Sequence, residues 1–160
     1  MDFTGKNFLV TGGAGFIGSH LVEMLLQHDV GKVVVFDNFI RGGIHNLEHI
    51  IDDNRLEIFE LKGDLTCIDE VCEATKDMDG VFHLACLSLP QCQELPRSAI
   101  DVNIVGTYNL LDACVINNVK RVVFTSSSSI YGNAIYSPMD EKHPLEFRDF
   151  YAATKITGES

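Results

Sequence analysis

Tyr151 and Lys155 stand four residues apart in Tyr151-Ala152-Ala153-Thr154-Lys155, downstream of a serine cluster running from Ser126 to Ser129. On a helix, residues four apart share a face. A phenol with a pKa near ~10 is a poor base at neutral pH, and bringing it to about 7 takes roughly 4 kcal/mol of preferential stabilisation of the phenolate. A neighbouring ammonium supplies part of that. The phenolate can then take a proton from a substrate hydroxyl while a serine hydroxyl holds the same oxygen. By itself the Tyr/Lys spacing describes any helix surface. Behind a serine cluster that closes a buried apolar run, it points to proton transfer.

A second constellation lies near the N-terminus, in Thr11-Gly12-Gly13-Ala14-Gly15-Phe16-Ile17-Gly18. A turn this tight needs unusual backbone angles, and a Cβ would hold a pyrophosphate away from the backbone. Gly12 and Gly15 suit the turn and the close approach, and Gly18 lets a helix pack on the preceding strand. Asp37 follows about twenty residues on, where a carboxylate accepts hydrogen bonds from ribose hydroxyls and repels a 2′-phosphate. Strand, glycine loop, helix and acidic residue together predict a dinucleotide site that prefers NAD to NADP. Arg41 lies close enough in sequence to bear on that preference.

The elements that must position these groups follow from the apolar pattern. Five short runs rich in Val, Ile, Leu and Phe occur at Asn7 to Thr11, Lys32 to Asp37, Leu56 to Leu61, Gly80 to Ala85 and Lys120 to Ser126. They are continuous rather than alternating, as in strands buried on both faces of a parallel sheet. Between them, Ile17, Leu21, Met24 and Leu25 fall at helical spacing, with Gly31 as a stop after fraying near Asp29. Thr66 can cap a helix to about Lys76, with Asp69 and Glu70 in its first turn. Arg97 to Asn117 reads as a long helix with Val102, Gly106, Leu110, Ala113 and Cys114 along one stripe, and Asp149 to Ser160 as another. Alternating strands and helices with right-handed crossovers predict an α/β, Rossmann-type doubly wound parallel sheet with ligand at the carboxyl ends of its strands.

Composition bounds the partners. One domain of 160 residues with 46% hydrophobic residues has a globular core, and a net charge of −11 without basic clusters argues against nucleic acid. It does not exclude a nucleotide, because helix N-terminal N–H groups attract phosphate locally. Five cysteines without a CxxC pair, and an N-terminus without a signal pattern, suggest a cytoplasmic protein with reduced thiols. No apolar run reaches the roughly 18 residues of a membrane span, so no membrane partner is expected.

The spacing TGGxGxxG resembles that of the extended short-chain dehydrogenase/reductases, the family of nucleotide-sugar epimerases and dehydratases. Asp37-Asn38, Gly42 and Asn46-Leu47 resemble its DNxxxGxxxNL segment, Gly63-Asp64-Leu65 its GDL, His83-Leu84-Ala85 its HxA, and Asn103 with Gly106-Thr107 its NxxGT. Ser127, Tyr131-Gly132 and Tyr151 to Lys155 resemble its catalytic serine, YG and YxxxK. The resemblance runs from Phe8 to Glu159, and Cys86 departs from it where many members carry alanine.

The resemblance implies NAD contacts at Gly12, Gly15, Phe16, Ile17, Gly18, Asp37, Asn38, Asp64, Leu65, Leu84, Ala85, Tyr151 and Lys155. It implies Ser127, Tyr151 and Lys155 as catalytic residues. Counting back four from Tyr131 selects Ser127, with Ser126 and Ser128 left as alternatives. Dehydratases of the family carry Asp-Glu at the two positions after that serine, and its decarboxylases carry Glu. Ser128 and Ser129 stand there. Neither hydroxyl is a carboxylate-like general acid, so hydride chemistry without elimination remains. The expected function is a UDP-sugar 4-epimerase. The alternatives are a nucleotide-sugar 4-reductase, or a non-catalytic NAD-binding module. A homodimer through Arg97–Asn117 and the helix from Asp149 is also implied. Family members continue past the YxxxK helix into further strands and a substrate region, so residues 1–160 read as one truncated NAD-binding domain without a second domain.

Other chemistry-bearing residues read as bland. His83 is expected to be a packed histidine near the cofactor, and His45 and His49 are not expected to bind metal. Cys86 and Cys92 form no redox motif, and Asp140 to His143 is expected to be a solvated loop between turns at Pro138 and Pro144.

Overall fold

The structure, a computed structural model, describes residues 3–160. All five expected strands form: β1 Asn7–Thr11, β2 Lys32–Phe36, β3 Leu56–Ile58, β4 Gly80–His83 and β5 Arg121–Phe124. Only β1 fills its apolar run. The others stop short at the carboxyl edge, where Asp37, Leu84, Ala85 and Thr125 leave the ladder for the loops that carry the site.

The sheet is parallel throughout, in the order β3-β2-β1-β4-β5. The chain moves outward from β1 to β3, then crosses back to β4 on the far side of β1. That reversal opens a crevice at the carboxyl ends of β1 and β4. Because successive strand residues point to opposite faces, each run of valines fills two cores. Phe8, Val10, Val33 and Val35 pack with Val22, Leu25 and Leu26 on one face. Leu9, Val34, Phe36 and Val81 pack with Val71, Leu110 and Ala113 on the other.

Helix α1 is Phe16–Leu26, and its buried stripe is Gly18, Ser19, Val22, Leu25 and Leu26. The expected stripe was rotated: Ile17 is 64% and Met24 59% exposed. Both line a shallow apolar depression of about 420 Å³ with Phe16, Leu21, Phe82, Leu84 and Val123. A sequence wheel cannot tell which of two apolar flanks meets the sheet. The helix also ends before Asp29, with Gln27 at its C-cap.

Helix α2 is Ile68–Ala74, shorter than expected, with Asp69 and Glu70 in its first turn. Thr66 does not cap it. Cys67 holds the cap position without a side-chain bond, and the Thr66 hydroxyl donates to Asp64 Oδ1 at 2.8 Å instead.

The helical run Pro96–Ile116 has three parts: α4, Pro96–Ala99; a π-helical turn, Ile100–Val105; and α5, Gly106–Ile116, with the short α3, Leu89–Glu94, ahead of it. The run is 21 residues long and apolar, which departs from the expectation that no segment reaches membrane-spanning length. It is a core helix that buries Ala99, Asn103, Gly106, Thr107, Leu110, Ala113 and Cys114. The π turn widens the helix by one residue per turn and brings polar Asn103 onto the buried stripe. Helix α6, Phe150–Glu159, is capped by Asp149, whose Oδ1 accepts from the Ala152 N–H at 2.8 Å.

Candidate functional site

The glycine loop joins β1 to α1 at the crevice. Gly12 has φ +70°, and a Cβ there would lie 2.8 Å from the Ala85 nitrogen, so only glycine fits between β1 and the loop after β4. Beyond Gly15 the space is open except for the Gly12 carbonyl. Gly15 is the N-cap of α1, and no side chain caps the helix. The first N–H groups of α1 are thus left to an anion, and the cradle fits a dinucleotide pyrophosphate. Phe16 and Ile17 are exposed on this first turn.

Asp37 stands beside the loop and does more than the sequence announced. Its Oδ2 accepts from the Ala14 N–H at 3.0 Å and its Oδ1 from the Phe39 N–H at 2.8 Å. Each oxygen keeps a lone pair for a further donor. Asn46, unremarked as a loop tie, donates to the Ala14 carbonyl at 2.8 Å. Asn38 is exposed, and its Oδ1 accepts from the Ile40 N–H at 3.2 Å. Gly63, at φ +65°, lies so close to Asp37 that a Cβ would fall 2.4 Å from its carbonyl oxygen. Asp64 therefore follows directly at the wall of the same crevice. Leu65 turns its side chain into the core, against Gly106, so only its backbone faces a ligand. Leu84 and Ala85 are half-buried at the end of β4.

At the other side of the crevice, β5 leads into Ser126 and Ser127 and then a single 3₁₀ turn, Ser128–Tyr131. The Ser127 hydroxyl and the Cys86 thiol both stand near enough to the Tyr151 phenol to act on its titration. Ser127 Oγ also accepts from the Ser129 N–H at 3.2 Å. Of the three serines only Ser127 acts on the Tyr151 phenol; Ser128 is exposed, and the buried Ser126 hydroxyl has no hydrogen-bond partner among the described residues. Cys86, noted from sequence only where many members carry alanine, acts on the phenol and raises it.

Lys155 is buried at 3% exposure and its Nζ donates to the Thr125 carbonyl at 2.8 Å. It sits 4.9 Å from the Phe124 ring centre and 5.8 Å from that of Tyr151. The Tyr151 pKa departs from the lowering expected of it. Burial, foremost, pushes the phenol above its ordinary value, the Cys86 thiol adds to this, and the Ser127 hydrogen bond opposes it. Desolvation disfavours the phenolate more than the Ser127 bond stabilises it.

Three further residues differ from their expected roles or gain new ones. His143 is 3% exposed rather than solvated: its Nδ1 bonds the Pro144 carbonyl at 2.9 Å and its Nε2 accepts from the Ile135 N–H at 3.0 Å. His49 Nε2 pairs with Glu23 at 3.3 Å. Asn103 was noted only as part of a helix motif. Its amide donates to the Leu87 carbonyl and to Thr154 Oγ1, each at 3.1 Å, and its Oδ1 accepts from the Leu87 N–H at 2.7 Å. It locks the loop after β4 to α6. An interior Asn next to Gly-Thr was the available signal.

The family described as GDP-mannose 4,6 dehydratase matches residues 9–160, and the chain belongs to it. This places it among the extended short-chain dehydrogenase/reductases. It is 35% identical to UDP-glucuronic acid decarboxylase 6 of Arabidopsis thaliana, across 95% of this chain and 44% of that protein. It superposes on UDP-N-acetylglucosamine 4-epimerase of Methanobrevibacter ruminantium with a TM-score of 0.88 and 39% identity, covering 98% of this chain and 49% of that one. The dTDP-glucose 4,6-dehydratase of Streptomyces venezuelae, solved with NAD bound, matches with a TM-score of 0.86 and 32% identity over 96% of this chain and 49% of that one. The chain thus spans about half the length of these relatives.

Proposed function

We propose that this chain is the cofactor-binding part of an NAD-dependent enzyme that epimerises C4 of a nucleotide sugar, a UDP-sugar 4-epimerase. The observation that carries it is Ser127 beside the Tyr151 phenol, on whose titration it acts, while Ser128 and Ser129, not carboxylates, follow that serine. The similar proteins are named as a decarboxylase, an epimerase and a dehydratase.

Gly12, Gly15, Gly18 and the N–H groups of Phe16 and Ile17 hold the pyrophosphate; Asp37 and Asn38 hold the adenosine ribose; Asp64 and Leu65 hold the adenine. Leu84 and Ala85 line the path to Tyr151 and Lys155. When bound, NAD supplies a hydride acceptor and a positive ring that favours the phenolate. Tyr151 takes the C4 hydroxyl proton, Ser127 donates a hydrogen bond to the same oxygen, and Lys155 holds the nicotinamide ribose beside the phenol. With no carboxylic acid after Ser127, a leaving hydroxyl finds no proton donor, and the keto sugar stays intact until hydride returns.

A 4-reductase uses the same residues but accumulates net NADH absorbance change; an epimerase shows none over many turnovers. A non-catalytic NAD module is favoured by one observation, the coverage of only about half of each relative. Calorimetric titration with NAD and with a UDP-sugar such as UDP-glucose decides it. NAD binding with no UDP-sugar binding would overturn the enzyme proposal for this chain, and failure to bind NAD would overturn both. A homodimer and a cytoplasmic location belong to the same proposal. Tyr108, Leu111 and Val115 form an exposed apolar stripe along α5 that suits pairing with a second copy. The five free cysteines suit a reducing compartment. A monomer in sedimentation at micromolar concentration would count against the dimer.

A further inference from the structure

A single directed line of hydrogen bonds runs from the strand that carries the glycine loop to the helix that carries Tyr151. His83 is at its centre, 2% exposed, with Nδ1 2.7 Å from Thr11 Oγ1 and Nε2 2.9 Å from Thr107 Oγ1. The direction follows from counting protons. Thr107 has one hydroxyl proton and gives it to the Asn103 carbonyl at 2.7 Å, so it accepts from His83 Nε2–H. Thr11 Oγ1 already accepts from the Ala85 N–H at 3.2 Å, and its own proton has only His83 Nδ1 to go to. The opposite tautomer would leave the Thr11 hydroxyl proton without an acceptor in the core. Burial, with the Lys155 charge behind it, lowers the His83 pKa to about 3, so the ring stays neutral.

The line continues on both sides. Ala85 belongs to the loop on which Gly12 packs. Asn103, whose carbonyl closes the Thr107 bond, spends its amide on Leu87 and on Thr154, and Thr154 in turn donates to the Tyr151 carbonyl at 2.7 Å. The groups proposed to hold the cofactor and those proposed to move the proton are therefore tied through one imidazole.

We infer that His83 is a positioning residue which, as the neutral Nε2–H tautomer, sets the spacing between the glycine loop and the Tyr151–Lys155 helix. The inference rests on the proposed NAD site for its functional readout, but not for its geometry. Asn or Asp could not substitute, because neither reaches both threonines. At 2% exposure the ring has no face to offer a bound molecule.

Two measurements on the full chain test it. Long-range ¹⁵N–¹H NMR should show His83 protonated on Nε2 and unchanged from about pH 8.5 to about pH 5.5. An Nδ1–H spectrum, or titration in that range, would overturn the inference. In the second, Thr107→Ser keeps the hydroxyl and should hold the NAD dissociation constant within about twofold. Thr107→Val removes the hydroxyl and should raise it about tenfold or more through misplacement. Equal affinities in two variants with unchanged circular dichroism would overturn it. If Thr107→Val does not fold, Thr11→Ser and Thr11→Val make the same comparison at the other end of the ring. Absence of NAD binding by the unaltered chain would sink the proposed function, and the inference would then stand or fall on the tautomer spectrum.

Discussion

Gly18 of α1 packs onto Gly12 of the loop so closely that a Cβ on Gly18 would lie 2.1 Å from the Gly12 carbonyl oxygen. The contact is backbone to backbone, and neither side can rotate away. Gly18→Ala should therefore cost about 1–3 kcal/mol through overpacking. In a chain of this size that lowers the melting temperature by roughly 2–4 °C per kcal/mol. Gly15→Ala is the control: its Cβ would meet only the Gly12 oxygen, at 3.2 Å, and its backbone is ordinary at φ −76°. It should melt nearly as the parent does yet bind NAD at least about tenfold more weakly, because the methyl occupies the phosphate approach. Equal melting temperatures for the two variants would contradict the packing argument.

Asp37 ties the glycine loop and is also the proposed ribose ligand. Asp37→Asn leaves one carbonyl oxygen for the Ala14 and Phe39 N–H groups, and one of those donors loses its partner. A loss of about 1–3 kcal/mol follows from the unmet N–H. Denaturant melts should show it without cofactor present, which a residue serving only NAD would not.

The Cys86 thiol beside Tyr151 raises the phenol, as does burial. Cys86→Ala should move the tyrosinate titration, followed by ultraviolet difference absorbance, to lower pH. With Tyr151 as the proposed base, the rising limb of the activity profile should move the same way. Ser127→Ala removes the group that lowers the phenol and should shift both to higher pH. An unmoved titration in both variants would show that burial alone governs the phenol.

His83 makes stability depend on acid. Its folded pKa, about 3, lies below the ordinary 6.5 of the unfolded chain. The stability this confers is complete above pH 6.5 and is lost as pH falls towards 3. Within that window each pH unit costs about 1.4 kcal/mol. Urea melts between pH 7 and pH 4 should fall more steeply for the parent than for His83→Gln, whose neutral amide has nothing to titrate. Parallel slopes would assign the acid sensitivity to other groups.

The His143 ring clasps the loop after Tyr131 by accepting from the Ile135 N–H and bonding the Pro144 carbonyl. His143→Ala removes both bonds and the stacking neighbour of Tyr131 and Tyr136. Hydrogen exchange at the Ile135 amide should accelerate at least about tenfold, the effect of about 1.4 kcal/mol. Exchange at β1 amides should stay as it was.

What could be read from the sequence was what repeats along the chain. β1, β2 and β4, buried on both faces, appear as unbroken Val and Phe runs, and the glycine loop is contiguous, so these strands and Gly12 to Gly18 were legible. β3 and β5 were found as strands too, but they lie at the sheet edges and hold no buried residue, contrary to the expected burial on both faces. Residues whose roles depend on who arrives from elsewhere were not legible. His143 looked solvated because its charged neighbours Asp140 to Lys142 are, while its partners Ile135 and Tyr131 come from an earlier turn. Thr66 had the composition of a cap, but Asp64 competed for its hydroxyl. Tyr151 and Lys155 were singled out by spacing, whereas the thiol that raises the phenol was not, since Cys86 lies 65 positions upstream. The π turn at Ile100–Val105 left no periodic trace, and only the burial of Asn103 betrays it.

β1 sits in the middle of the sheet, with β2 on one side and β4 on the other. During synthesis the first βαβ unit can pair as soon as Phe36 has emerged, but the opposite flank of β1 stays bare until His83 arrives 47 residues later. The nascent chain therefore carries a hydrophobic, unpaired margin at its own centre for several seconds of translation. The Gly12 turn packs on Ala85, so it gains its wall only as β4 completes the central strand. The two are one event in time.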